Sequence, residues 1–114
     1  MSENKGSAIG YLVEEIGLKN TIELIELALP SISTLEANFA KSLLAGDSDM
    51  AATYAHKALG SVRLYGTKNL ENLLMKIKDK KLKDDKFLHI INEVCVELKL
   101  THITLNNWLK TQKA

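Results

Sequence analysis

Few side chains in this 114-residue chain could do chemistry: three histidines, one cysteine and scattered carboxylates. Neither His89 nor His102 has metal-ligand spacing with Cys95 or with a carboxylate pair, so no zinc or iron centre is expected. His56 stands apart. It lies in the stretch 54–66, Tyr-Ala-His-Lys-Ala-Leu-Gly-Ser-Val-Arg-Leu-Tyr-Gly. At about 100° per residue, Ala51, Ala55, Ala58, Val62 and Tyr65 share an apolar face, while His56 falls most of the way round the other side with Gly60 one turn beyond it. A lone histidine is ordinarily a satisfied core residue or a spare solvated one. The core is already filled on the opposite face, and the solvated option leaves Gly60 unexplained. A glycine in mid-helix costs about 1 kcal/mol relative to alanine, so its place beside an exposed histidine points to something approaching the helix closely there. A neutral imidazole keeps a lone pair on one ring nitrogen for nucleophilic attack and needs no activating triad.

The elements that position this histidine follow from periodicity. Residues 1–7 are polar and expected to fray. A short amphipathic helix over about 8–16 carries Ile9, Leu12, Val13 and Ile16 at i, i+3, i+4, i+7 and ends at Gly17. Asn20, with Glu23 three residues on, reads as the capped start of a second helix, whose core stripe is Ile25, Ala28, Ile32, Leu35, Phe39 and Leu43. Pro30 interrupts that stripe and predicts a kink or a break. Gly46 closes the segment, and Asp47 or Ser48 caps the histidine helix. A further helix over about 68–79 buries Leu70, Leu73, Leu74 and Ile77. The run 76–86 is dominated by interleaved lysine and aspartate and reads as a solvated loop.

The last helix, from Asp84 or Asp85 to about Lys110, turns Phe87, Ile91, Val94, Cys95, Leu98, Leu105 and Leu109 inward, with His102 in the same stripe as a core or boundary histidine and His89 exposed and unaccompanied on the far side. Val96, Leu100 and Ile103 lie off this stripe. They are covered either by the N-terminal helix, the simpler arrangement, or by a dimer contact. Four long amphipathic segments with short connections and no strand-like alternation make an all-α chain, an antiparallel four-helix bundle with a short additional N-terminal helix, one domain over 8–114.

Around His56 the outer face is expected to show Asp49, Ala52, Thr53, Gly60, Arg63 and Leu64. Small residues, an exposed leucine and an arginine suit a flat docking surface, centred on Ala52, Thr53, Gly60 and Leu64. Fifteen basic and fourteen acidic residues leave a net charge of +1, so no general field attracts nucleic acid or a membrane, and the lysine-rich run has no aromatic platform. The single cysteine excludes an intrachain disulfide and fits a reducing compartment. No long apolar run or signal-peptide core is present. These features lead to the expectation of a cytoplasmic monomer.

The motif Ala55, His56, Gly60, Ser61, Gly66, followed by Leu70 and Leu73 on the next helix, resembles that of the histidine-containing phosphotransfer (HPt) domains of two-component phosphorelays, over most of the chain. The resemblance implies a phosphocarrier without its own ATP site. His56 would accept a phosphoryl group on Nε2 from a receiver-domain aspartate and pass it to another receiver. Its partners would be receiver domains of hybrid histidine kinases and response regulators. This chain would bind no cofactor, magnesium being held by the receiver. Met1 and the lack of a flanking domain lead to the expectation of a free-standing relay protein. Family members usually carry lysine three residues after the histidine, where this chain has Leu59. Arg63 and Lys78 are the expected substitutes, with Gly60 and Ser61 also supporting the phosphosite. The missing lysine also keeps open an adaptor that docks a receiver or other signalling protein without carrying phosphate.

Overall fold

Two glycines at positive φ delimit the first long helix: Gly17 at φ 86° and Gly46 at φ 63° flank α2 (Leu18–Ala45). In the computed structural model, which describes residues 8–79 and 84–113, α2 is preceded by α1 (Ala8–Ile16) and followed by α3 (Ser48–Tyr65), α4 (Lys68–Lys78) and α5 (Asp84–Lys113). Among the described residues there is no strand. The polar stretch 1–7, expected to fray, and residues 80–83 of the charged connection lie outside the described residues.

Helix starts and stops have identifiable local causes. The N–H of Gly46 returns to Leu43 and that of Asp47 to Ser42, each at 3.0 Å, which satisfies carbonyls at the end of α2. Asp47 then caps α3, its Oδ1 accepting from the Met50 N–H at 2.9 Å. Thr67 caps α4 in the same way, accepting from Leu70 at 3.0 Å. Asn20 does not cap α2. The positive-φ turn at Gly17 starts that helix three residues earlier, and the Asn20 amide instead donates back to the Ile16 carbonyl at 2.8 Å. Pro30 does not break α2 either. Ile25, Ala28 and Ile32 on either side of it are buried, and their packing outweighs the roughly 3 kcal/mol that an interior proline costs.

The four long helices contact one another in a closed ring in chain order, α2 on α3, α3 on α4, α4 on α5 and α5 back on α2. This is an antiparallel four-helix bundle, with α1 packed on α2 and α3. Ile25, Ile32, Phe39, Leu74, Ile91 and Leu98 fill its axis, and Phe39 meets Tyr54 edge to face with ring centroids 6.1 Å apart. Ala51, Ala55 and Ala58 let α3 sit close to its neighbours. The helices differ in length, 28 and 30 residues in α2 and α5 against 18 and 11 in α3 and α4. The long pair therefore outruns the α3–α4 hairpin, and α1 fills part of the space beyond it. A groove of about 700 Å³ stays open between α1, the hairpin turn and α5, with Leu12, Leu64 and Leu100 among its walls.

The placement of α1 corrects the expectation for the second face of α5. Because α1 lies on α2 and α3, it does not cover Val96, Leu100 and Ile103, which stay 55%, 51% and 54% exposed. His102 is half-buried at the boundary as expected, while its neighbour Thr101 is the buried member of that turn. His89 is accompanied after all, by Glu93 at 3.1 Å.

Candidate functional site

His56 is exposed on α3, away from Ala55 and Ala58, which face the core. Its ring has no hydrogen-bond or ion-pair partner among the described residues. Asp49, Thr53, Lys57, Gly60, Ser61, Arg63 and Leu64 are exposed on the same helix. A Cβ built on Gly60 meets nothing within 4 Å. Gly60 has a helical backbone without positive φ, so neither backbone conformation nor packing inside this chain calls for glycine there.

The arc is displaced from the one expected. Ala52 is 4% exposed and is not part of the outer surface. It sits about 100° from Ala51, at the edge of the buried face. Leu59 is also buried, at 3%, for the same reason: it lies on the Ala52 side of His56. The position where an HPt domain has its lysine thus points inward here. Lys57, on the other side of His56, remains exposed. With Ser61 it borders a shallow depression of about 370 Å³ between α2 and α3, whose far wall is Pro30, Ser31 and Thr34. Sequence reasoning gave those α2 residues no role, although a proline followed by small polar residues is the signal of a thin helix face. Ser61 is about 140° round α3 from His56, so it belongs to that depression. Its hydroxyl partly offsets the upward push that burial gives the Tyr65 phenol.

The two cations expected to replace the missing lysine are placed differently. Arg63 is seven residues, about 10.5 Å, along α3 from His56. Its Nε donates to Glu71 of α4 at 3.0 Å. Lys68 reaches the same carboxylate at 3.7 Å. The Arg63 hydrogen bond holds the Glu71 carboxyl below its usual range, with Lys68 contributing and partial desolvation opposing. Because this folded-state pKa is lowered, the pair is intact at neutral pH and opens only as pH falls through that lowered value. Arg63 is therefore occupied. Lys78 ends α4, and about as many residues separate it from the Gly66 turn as separate His56, so the antiparallel hairpin brings the two to about the same height. Lys78 is half-buried.

Among the described residues no cluster of His, Cys, Asp or Glu is arranged to hold a metal ion, and no helix is long and apolar enough to cross a membrane. Burial pushes the Cys95 thiol up, Glu36 adds to this and Lys99 opposes it. No family model matches this chain, and neither does any curated protein or solved structure.

Proposed function

We propose that this protein is a cytoplasmic phosphocarrier of the HPt type, taking a phosphoryl group on His56 from a receiver-domain aspartate and handing it to another receiver. The observation that carries this reading is Gly60: a helix-weakening residue one turn from an exposed, unpartnered imidazole, with open space where its side chain would be. A flat approach to the nucleophile accounts for it. In transfer, the Nε2 lone pair forms an N–P bond while the acyl-phosphate P–O bond breaks, its electrons leaving with the aspartate carboxylate. The positive charge placed on the ring is carried by the Nδ1–H. The second transfer reverses these steps onto another carboxylate. Catalysis of this kind rests on positioning and charge neutralisation. The receiver supplies magnesium, and Lys78, at about the height of His56 on the neighbouring helix, is the cation of this chain assigned a share of the neutralisation.

A second reading has an observation of its own. With Leu59 buried and Arg63 held by Glu71, the surface suits an adaptor that docks a receiver without carrying phosphate. Exposure to a panel of phosphorylated receivers separates the two. A label on this chain that is lost in acid and survives base is the expected result, since phosphoramidates behave so and acyl phosphates do not. No label from any receiver, with the chain folded, selects the adaptor.

The Arg63–Glu71 pair gives a graded prediction. Glu71→Gln releases Arg63, whose side chain leans toward the helix N-terminus and so toward His56. Phosphoryl acceptance is expected to rise severalfold in Glu71→Gln and to be unaffected in Glu71→Gln/Arg63→Ala, measured as initial rates from one phosphorylated receiver. A rise that persists in the double variant removes Arg63 from the site.

A further inference from the structure

The uncovered face of α5 has a pattern of its own. Glu93, Val96, Leu100, Ile103, Asn107 and Lys110 follow one another in alternating steps of three and four, the spacing of a heptad seam, and all six are exposed. The seam points away from the core, which α5 reaches through Val94, Leu98, Thr101 and Leu105. From these residues we infer that α5 pairs with α5 of a second copy of this chain, antiparallel, about a two-fold axis midway between Leu100 and Ile103.

What selects a second copy is the self-complementarity of the seam. Antiparallel pairing about that axis sets Leu100 against Ile103 of the second copy and Val96 against its Asn107, and each contact occurs twice, as an isologous interface requires. At the ends Glu93 meets Lys110 of the second copy, opposite charges at both extremities. Along the flanks Glu97 faces Thr104 and Lys99 faces Asn106, so no like charges oppose each other. Lys99 is already anchored to Glu36 at 3.3 Å and lies beside the seam. The seam from Glu93 to Lys110 spans about 25 Å of helix, with two apolar layers at its centre. That is short for a permanent coiled coil, and the dimer is expected to be weak and concentration-dependent, in the micromolar range.

The pairing is compatible with an open His56. In the ring of helices α3 and α5 are not neighbours but stand across the bundle, so a dimer built on α5 carries its two histidines on outward faces. The interface does not depend on phosphate chemistry.

The test is sedimentation equilibrium of the full chain over a range of concentrations, with charge-reversal variants. Glu93→Lys and Lys110→Glu are each expected to weaken the dimer about tenfold, since each disrupts two symmetry-related pairs. The double variant Glu93→Lys/Lys110→Glu is expected to restore wild-type affinity. Within one chain these residues lie too far apart along α5 to interact, so rescue can come only from the second copy. All positions are exposed, and circular dichroism checks that each variant is folded. A wild-type chain that stays monomeric into the millimolar range overturns the inference and leaves the face to a different partner. A dimer indifferent to the single reversals, or unrescued by the double one, also overturns it by placing the contact elsewhere.

Discussion

A His56→Gln chain is expected to fold as the wild type does and to accept no phosphoryl group. The fold half follows from exposure: the ring has no partner among the described residues and its neighbours on the helix are solvated, so a glutamine changes stability by no more than about 0.5 kcal/mol. The chemical half follows because a glutamine amide has no lone pair basic enough to displace a carboxylate from phosphorus. The informative comparison is Gly60→Leu. Nothing of this chain lies within 4 Å of a Cβ at that position, and replacing a mid-helix glycine recovers up to about 1 kcal/mol. The variant should therefore be at least as stable as wild type in urea, with an unchanged imidazole. Yet the leucine stands one turn along the same face, where the proposed transfer brings a receiver flat against the helix. An error of about 1 Å in the placement of reacting groups can cost about a hundredfold in rate, and transfer from receivers is expected to fall by that order. Small acyl phosphates, which do not dock, should still label it at the wild-type rate. A Gly60→Leu protein with undiminished receiver transfer would falsify the docking role of Gly60, and with it the observation on which the phosphocarrier reading rests.

How far the sequence could be read depends on what each residue was reporting. Helix periodicity was legible because burial itself imposes it: Leu70, Leu73, Leu74 and Ile77 on α4 are all buried as their spacing predicts. The cap at Asp47 lies where turn chemistry places it, whereas Asn20 misled because a positive-φ glycine just before it had already started the helix. At Pro30 local preference gives a kink or a break, and the break is absent because the tertiary contacts of Ile25, Ala28 and Ile32 hold α2 continuous through it. At the candidate site, the exposure of His56 followed from a filled opposite face. The inward positions of Ala52 and Leu59 did not, since a helical wheel gives the centre of the buried arc but its width is set by how closely neighbouring helices approach, and alanine-rich α3 admits them closely. Nor could the sequence show that Arg63 is taken by Glu71. That pair joins two helices across a turn, and its geometry exists only once the hairpin has closed. The same holds for the bare face of α5, which depends on which neighbours α1 selects.

The largest stability effect is expected at the other glycine of the motif, Gly66, for the opposite reason to Gly60. Its backbone is extended, at φ −88°, an angle any residue can adopt, so conformational freedom is not what the position uses. Space is. A Cβ there would lie 2.7 Å from Cγ1 of Val62 and 2.9 Å from the Val62 carbonyl oxygen, with Leu70 Cδ2 at 3.4 Å. Val62 and Leu70 are fully buried, and the Gly66 N–H is hydrogen-bonded to that carbonyl at 2.6 Å. The added methyl must therefore push the α3–α4 turn away from the end of α3. Overpacking of this kind costs about 1–3 kcal/mol, and Gly66→Ala is expected near the upper end because one of the two closest atoms is backbone, which cannot rotate aside. For a domain of this size that corresponds to a drop in Tm on the order of 10 °C. Adding Val62→Ala tests the cause. It removes the Cγ1 contact but leaves the carbonyl, so Gly66→Ala should cost less in the Val62→Ala background than in wild type and still cost something. A Gly66→Ala protein as stable as wild type in urea, with the same m-value, would show that the turn relaxes freely. Between the two glycines the helix is thus kept thin on its outer face and closed tightly at its end, and only the second of these needs can be met inside this chain.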